Sequence, residues 1–251
     1  MSAAEWLFAG SLFALLYIYL GYPAILVILA KWMHAPVRKG ECTPSVSILI
    51  AAHNEAACIG KTIENKLGLD YPGDKAEIIV ISDGSDDETD EIVRGYASRG
   101  VKLIRQEPRA GKTSALNLAI PSARGEIIVF SDANSLYEYD AIRKLLANFK
   151  DPEVGYVTGK MIYVNPDGSV TGDGCSAYMR YENRLRSLET AVGSVVGVDG
   201  GIDAVRKALY RPMRADQLPD FVLPLDVVAQ GYRVVYEPGA YLRETALAEA
   251  S

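Results

Sequence analysis
The chain has 251 residues, room for one α/β domain of about 200 residues and an additional segment. Apolar residues at 49% and charged residues at 23% are ordinary for a folded protein. The net charge of −6, without a Lys/Arg cluster, gives no electrostatic case for nucleic-acid binding. The three cysteines (Cys42, Cys58, Cys175) are scattered and never spaced Cys-x-x-Cys, so they read as reduced thiols rather than a disulfide frame or zinc site. Two histidines, His34 and His53, cannot build a His-rich metal site.

Trp6 to Ala30 carries no charged residue over about 25 positions, enough to cross a bilayer. Trp6 and Trp32 bracket it as an aromatic belt would, and Gly21-Pro23 marks a candidate kink. The start lacks the basic residues of a secretory signal. Lys31, Arg38 and Lys39 follow the stretch and nothing basic precedes it, so the positive-inside bias puts the rest in the cytoplasm. The expected organisation is an anchor over 1–34 in the inner (cytoplasmic) membrane, a linker over 35–44 and a cytoplasmic domain over 45–251.

Strands are expected over 46–51, 77–81, 101–104 and 126–130. Helices are expected over 57–69, 88–98, through Ala119 after Arg109-Ala110-Gly111-Lys112-Thr113, and over 140–149. Four strand–helix alternations imply right-handed βαβ units, a mostly parallel sheet and helices on both faces. After residue 150 the pattern loosens. Residues 154–163 add a strand, 165–174 read as a loop, and 178–188 have helical spacing. Gly197 to Gly201 is Gly-rich, Pro219-Asp220 precedes an apolar helix to Ala229, and 232–236 form a last strand.

The chemistry gathers where strands end. Glu126 to Phe130 is a β-branched apolar run that turns abruptly polar at Ser131-Asp132-Ala133-Asn134-Ser135. In open α/β sheets, ligands bind beyond the carboxyl ends of strands. A carboxylate and an amide oxygen there suit a hard cation, Mg²⁺ or Mn²⁺, bridging to phosphates; the plain alternative is a polar turn. Three strands end in acid, at Glu55, Asp83 and Asp132, which suggests a nucleotide and metal site. Lys112 sits in a Gly-containing loop before a helix, where charge and helix-start amides can hold a phosphate; the plain alternative is a solvated lysine. It is not a P-loop lysine, because Gln106 stands where that motif needs Gly, and no Gly-x-Gly-x-x-Gly follows the first strand.

Taken in order, Ala52-His53-Asn54-Glu55, Asp83-Gly84-Ser85-Asp86-Asp87, Gly111-Lys112 with Ala115-Leu116-Asn117, and Asp132-Ala133-Asn134 resemble the family 2 glycosyltransferases. The likeness covers residues 45–243 and is greatest to the membrane-anchored, polysaccharide-synthase-like branch. It implies the GT-A fold, a Rossmann-like α/β sheet preceded here by one transmembrane helix. It implies inverting transfer of a sugar from a nucleotide-sugar, usually UDP-linked, to a carbohydrate or lipid-linked acceptor in envelope or exopolysaccharide synthesis. It further implies that His53, Asn54 and Glu55 wall the nucleotide pocket, that Asp83 binds base or ribose, that Lys112 lies near the diphosphate, and that Asp132 and Asn134 hold the metal. The late acidic pair that supplies the base falls at Leu218-Pro219-Asp220-Phe221, making Asp220 the candidate. An acid at a helix start is also a common N-cap, and Asp216 and Asp226 are rivals.

Four departures stand out. His53 replaces an aromatic, Asn134 the second acid of Asp-x-Asp, and Pro219 the first acid of the late pair. The Gln-x-x-Arg-Trp motif and later membrane helices of processive members do not follow, so the domain is expected to be truncated at its C-terminus. Two alternatives remain at this level. One is a sugar-phosphate nucleotidyltransferase, whose usual Gly-rich basic loop after strand one is missing. The other is a membrane-bound scaffold that kept the fold without turnover.

Overall fold
A computed structural model describes residues 2–33, 35–164 and 173–245. The charge-free N-terminal stretch forms one helical rod made of α1 (Ala3–Leu16), a π-helical turn (Tyr17–Gly21) and α2 (Tyr22–Trp32). Ser2 opens it with a capping box: its hydroxyl accepts the Glu5 N–H, and the Glu5 carboxylate accepts its own N–H. The irregularity expected at Gly21-Pro23 takes the form of the π turn. Pro23 has no N–H for the Tyr19 carbonyl four residues back, and that carbonyl accepts the Tyr181 hydroxyl at 3.2 Å. The rod is apolar all round, Leu26 is its one buried side chain, and it is long enough to cross a bilayer.

Next come β1 (Val46–Ala52), α3 (Ile59–Leu67), β2 (Ala76–Asp83), α4 (Thr89–Gly95), β3 (Val101–Gln106) and α5 (Lys112–Ala119). They are followed by β4 (Ile127–Asp132), β5 (Leu136–Tyr137), α6 (Ala141–Ala147), β6 (Val154–Val164), α7 (Asp173–Val192), β7 (Ile202–Arg206), α8 (Pro219–Ala229) and β8 (Arg233–Thr245). The strands form one sheet in the order β3-β2-β1-β4-β7-β6-β8-β5. β3, β2, β1 and β4 are parallel, as the βαβ pattern requires.

Beyond β4 the sheet is mixed rather than mostly parallel. β7 runs antiparallel to β4 and β6, β5 antiparallel to β8, and β6 parallel to β8. The chain leaves β6 at the carboxyl edge and returns to that edge at Gly201, so β7 must run back down. The last strand outruns its expected 232–236 because a register shift between Thr158 and Lys160 lets Pro238 and Gly239 bulge without ending the pairing. The helix expected over 178–188 is longer, and most of the loop expected over 165–174 lies outside the described residues.

Both sheet faces are covered, which is why β1, β2 and β4 each carry a continuous apolar run, at 48–52, 78–81 and 127–130. α3, α4 and α6 pack Ile59, Ile63, Val93, Ile142 and Leu145 on one face, against Ile48, Ile50 and Val129. α5 and α8 pack Leu116, Leu223 and Val227 on the other, against Leu49, Ile79 and Ile128. The rod joins this body through α7: the Tyr22 hydroxyl donates to Glu189 Oε1 at 2.5 Å, and the Ala35 N–H to the Ala191 carbonyl at 2.8 Å. Residues 35–44 are docked along α6, with the Gly40 N–H on the Ala147 carbonyl and the Cys42 thiol on that of Leu146.

Gly125 leads into β4 at a point of contact with β1. Its N–H donates to Ser47 Oγ at 2.8 Å, and a Cβ there would lie 2.3 Å from the Ser47 nitrogen. Gly125→Ala must push β4 off β1, an overpacking cost of about 1–3 kcal/mol. The expected result is a melting temperature lower by several degrees, read by circular dichroism. An unchanged midpoint would mean that the two strands part more easily than their backbone contact implies.

Candidate active site
The three acid-ended strands, β1, β2 and β4, are adjacent, so their carboxyl ends form one edge. After β1, Asn54 adopts a left-handed conformation at φ 56, which Asn tolerates better than most residues. Its amide and the Asp86 side chain and N–H bond reciprocally, at 2.6 and 2.9 Å. His53 Nδ1 lies 2.8 Å from the Asp83 carbonyl, and the Glu55 N–H donates to Thr89 Oγ1 at 2.8 Å. The loops after β1 and β2 are therefore laced into one wall. Glu55 also accepts the Cys58 thiol at 2.9 Å.

Asp83 is buried and accepts Gln106 Nε2 at 2.6 Å and the Ala110 and Gly111 N–H groups at 2.8 Å each. Burial alone would raise its pKa, but these donors favour the anion and bring it below the ordinary value. Both oxygens are thus engaged inside the chain, and they hold the loop that delivers Lys112. Gly111 at φ +89 allows its amide to turn inward there.

Lys112 Nζ lies 2.8 Å from Asp132 Oδ1 and 3.7 Å from Asp220 Oδ2. Burial would lower its pKa, yet the two carboxylates hold it raised. It joins the end of β4 to the start of α8, two elements far apart in sequence. The turn after β4 is gripped from behind by α3. Thr62 Oγ1 donates to the Ala133 carbonyl at 2.5 Å, buried Lys66 to that of Ser135 at 2.6 Å, and Asn65 Nδ2 to that of Tyr137 at 2.8 Å. Asn134 Nδ2 donates to Glu244 Oε1 at 2.8 Å.

Asp220 does not cap its helix. α8 begins at Pro219 with Leu218 in the N-cap position, and Asp220 lies in the first turn, where an acid is favoured. Its carboxyl group rests on Gly200, at φ +80, so closely that a Cβ there would be 2.4 Å from Asp220 Cγ. Burial, with Asp132 nearby, raises the pKa of Asp220 against the opposing pull of Lys112. The rivals are engaged elsewhere: Asp216 with Arg214 at 3.0 Å, and Asp226 with Arg211 at 3.3 Å.

Gly200, Glu244 and Asp203 escaped the sequence reading. Asp203 is fully buried on β7, between Phe130 of β4 and Thr158 of β6. Nothing in its own pattern, Ile-Asp-Ala-Val-Arg, marks it out.

Among the described residues no group of three or more His, Cys, Asp or Glu side chains forms a self-sufficient metal cage. Asp132 and Asn134 offer hard oxygens on one turn. That donor set fits a divalent cation whose remaining ligands come from a diphosphate and water.

The sequence profile described as Glycosyl transferase family 2 matches residues 47–204. The chain belongs to glycosyl transferase family 2. It is 32% identical over 203 residues to the beta-monoglucosyldiacylglycerol synthase of Trichormus variabilis, covering 79% of this chain and 43% of that protein. It is 30% identical over 200 residues to the poly-beta-1,6-N-acetyl-D-glucosamine synthase of Staphylococcus aureus, covering 77% of this chain and 48% of that one. The chain thus spans less than half the length of these relatives. Among solved structures, the mannosyltransferase PcManGT of Pyrobaculum calidifontis, in complex with GDP-Man and Mn²⁺, superposes with a TM-score of 0.78 at 25% identity, covering 95% of this chain and 68% of that one. S. aureus TarS 1–349 with UDP-GlcNAc gives 0.63 at 19% identity, covering 81% and 59%, a likeness of fold. These glycosyltransferases bear out the GT-A architecture expected for the family 2 chain.

Proposed function
We propose that this family 2 chain is an inverting, metal-dependent transferase. It moves a sugar from a nucleotide-sugar, UDP-linked by preference, to a hydroxyl of a carbohydrate or lipid-linked acceptor. The observation that carries this reading is the Asp132–Lys112–Asp220 bridge. One cation ties a carboxylate suited to a metal to a carboxylate suited to a base, at the edge where the laced β1 and β2 loops meet.

In this reading His53, Asn54 and Glu55 wall the nucleotide, with Asp83 fixing the Gly111 loop beside it. Lys112 turns from Asp132 to the diphosphate. Asp132 and Asn134 would hold Mg²⁺ or Mn²⁺, which would supply Lewis-acid charge to the leaving group. Asp220 takes the proton of the acceptor hydroxyl as its oxygen bonds the anomeric carbon. The bond from that carbon to the diphosphate oxygen breaks, and its electron pair leaves with the nucleoside diphosphate. The N-terminal rod anchors the chain in the membrane with the catalytic body on the cytoplasmic side, where the basic residues after it fit. The names of the two relatives, a glycolipid synthase and a polysaccharide synthase, support both acceptor classes.

Asp132 alone carries charge on the metal turn, and Lys112 offsets it. Mn²⁺ affinity is therefore expected to rise by on the order of tenfold or more when UDP is present, because the diphosphate adds oxygens and charge. Electron paramagnetic resonance of free Mn²⁺, with GDP as the parallel arm, measures this. Asp132→Ala should abolish the coupling. Equal affinity with and without either nucleotide would remove the shared site.

A further inference from the structure
We propose that Glu244 completes the cation site that the Asp132-Ala133-Asn134 turn leaves one charge short. The inference rests on the reading above, in which a divalent cation and a nucleoside diphosphate share this turn. The turn presents one carboxylate and one amide, and the carboxylate is already paired with Lys112 at 2.8 Å. The two formal charges cancel, so the turn by itself attracts a dication weakly. Hard dications are held by carboxylates together with neutral oxygens, and affinity follows the ligand charge count.

Tertiary structure supplies the missing acid. β8 runs beside β5, which follows directly from the turn, and pairs Leu136 with Arg243. Glu244 is the next residue along β8. It reaches Asn134, whose Nδ2 donates to Glu244 Oε1 at 2.8 Å. An ionised carboxylate has two oxygens and about four acceptor sites, so one such bond leaves Oε2 able to take a metal ion. The same bond sorts the Asn134 amide. With its nitrogen held by Glu244, its oxygen Oδ1 is the atom left for a hard cation.

Charge balance points the same way. Arg243, beside it in sequence, is paired with Glu138 at 2.9 Å. Among the described residues no Lys or Arg forms an ion pair with Glu244. An acid with no ion pair among the described residues, one hydrogen bond from a metal-turn amide, restores the charge that Asn134 removes.

The experiment follows Mn²⁺ binding to the full chain in detergent, with UDP present, by electron paramagnetic resonance. Glu244→Gln keeps an acceptor for Asn134 and loses the charge. It is expected to weaken Mn²⁺ binding by on the order of tenfold or more. Adding Asn134→Asp to Glu244→Gln returns a carboxylate to the turn and should recover most of that loss. A folding defect caused by the glutamine would not be repaired this way. Glu244→Gln binding Mn²⁺ as tightly as the parent would overturn the proposal, as would a double variant no better than the single one. If the parent itself binds no Mn²⁺ with UDP, the functional reading falls as well. Parent binding with an unaffected Glu244→Gln sinks the Glu244 proposal alone.

Discussion

Asp220→Asn is expected to keep the melting temperature and UDP binding of the parent while lowering sugar transfer by on the order of a hundredfold or more, the scale of a lost general base. Asn preserves shape, so the contact with Gly200 survives. Leu218, not Asp220, holds the N-cap, so no cap is lost. The 3.7 Å approach of Lys112 is a half-exposed ion pair of the kind worth at most about 1 kcal/mol. Asn cannot accept a proton, and that is the one property the substitution removes. Because the pKa of Asp220 is raised, the parent should also lose activity on the acid side at a higher pH than an ordinary carboxylate would give. Transfer by the variant at near-parental rate would move the base to Asp216 or Asp226.

Asp203→Asn should stabilise the protein at pH 8, and far less at pH 5. Neither carboxyl oxygen of Asp203 has a hydrogen-bond partner of good geometry among the described residues. Burial raises its pKa to about 7; the nearby Thr158 and Tyr156 hydroxyls oppose this only in part, and the charges of Asp220 and Asp199 add to it. The folded pKa lies above the unfolded one of about 3.9, so the folded state keeps a proton that the unfolded state sheds. Stability therefore falls as pH rises from about 4 to about 7, and is level above that. Asn has no proton to lose. Its advantage grows by about 1.4 kcal/mol per pH unit, on the order of 3 kcal/mol between pH 5 and pH 8. Denaturant unfolding at the two pH values reads it. A gain of equal size at both would show that Asp203 does not titrate in this range.

Of the expected site residues, those on parallel strand ends were the most legible. Asp132 follows Ile127–Phe130 because an apolar run buried on both faces must stop where the sheet meets water, and Lys112 follows Gly111 because a helix start needs such a turn. The proposed base, Asp220, was legible only through the family resemblance, since Pro219-Asp220 by itself looks like any helix start. Glu244 lies beyond any spacing rule. It is 110 residues from Asn134 and meets it through the pairing of β8 with β5.

What the sequence determined by itself was local. The charge-free rod, the four βαβ alternations and the polar strand ends follow from hydropathy period and turn chemistry, which act over a few residues. What only the tertiary structure decided was partnership. β7 runs antiparallel because the chain returns to the edge it left, a matter of path rather than composition. Asp83 became a loop anchor because Gln106, Ala110 and Gly111 close around it. Asp203 became a buried acid because β7 was inserted between β4 and β6. Lys112 bridges Asp132 and Asp220 because α5 and α8 start at the same sheet edge. Charges act over ångströms in space, and sequence distance carries no record of that until the sheet closes.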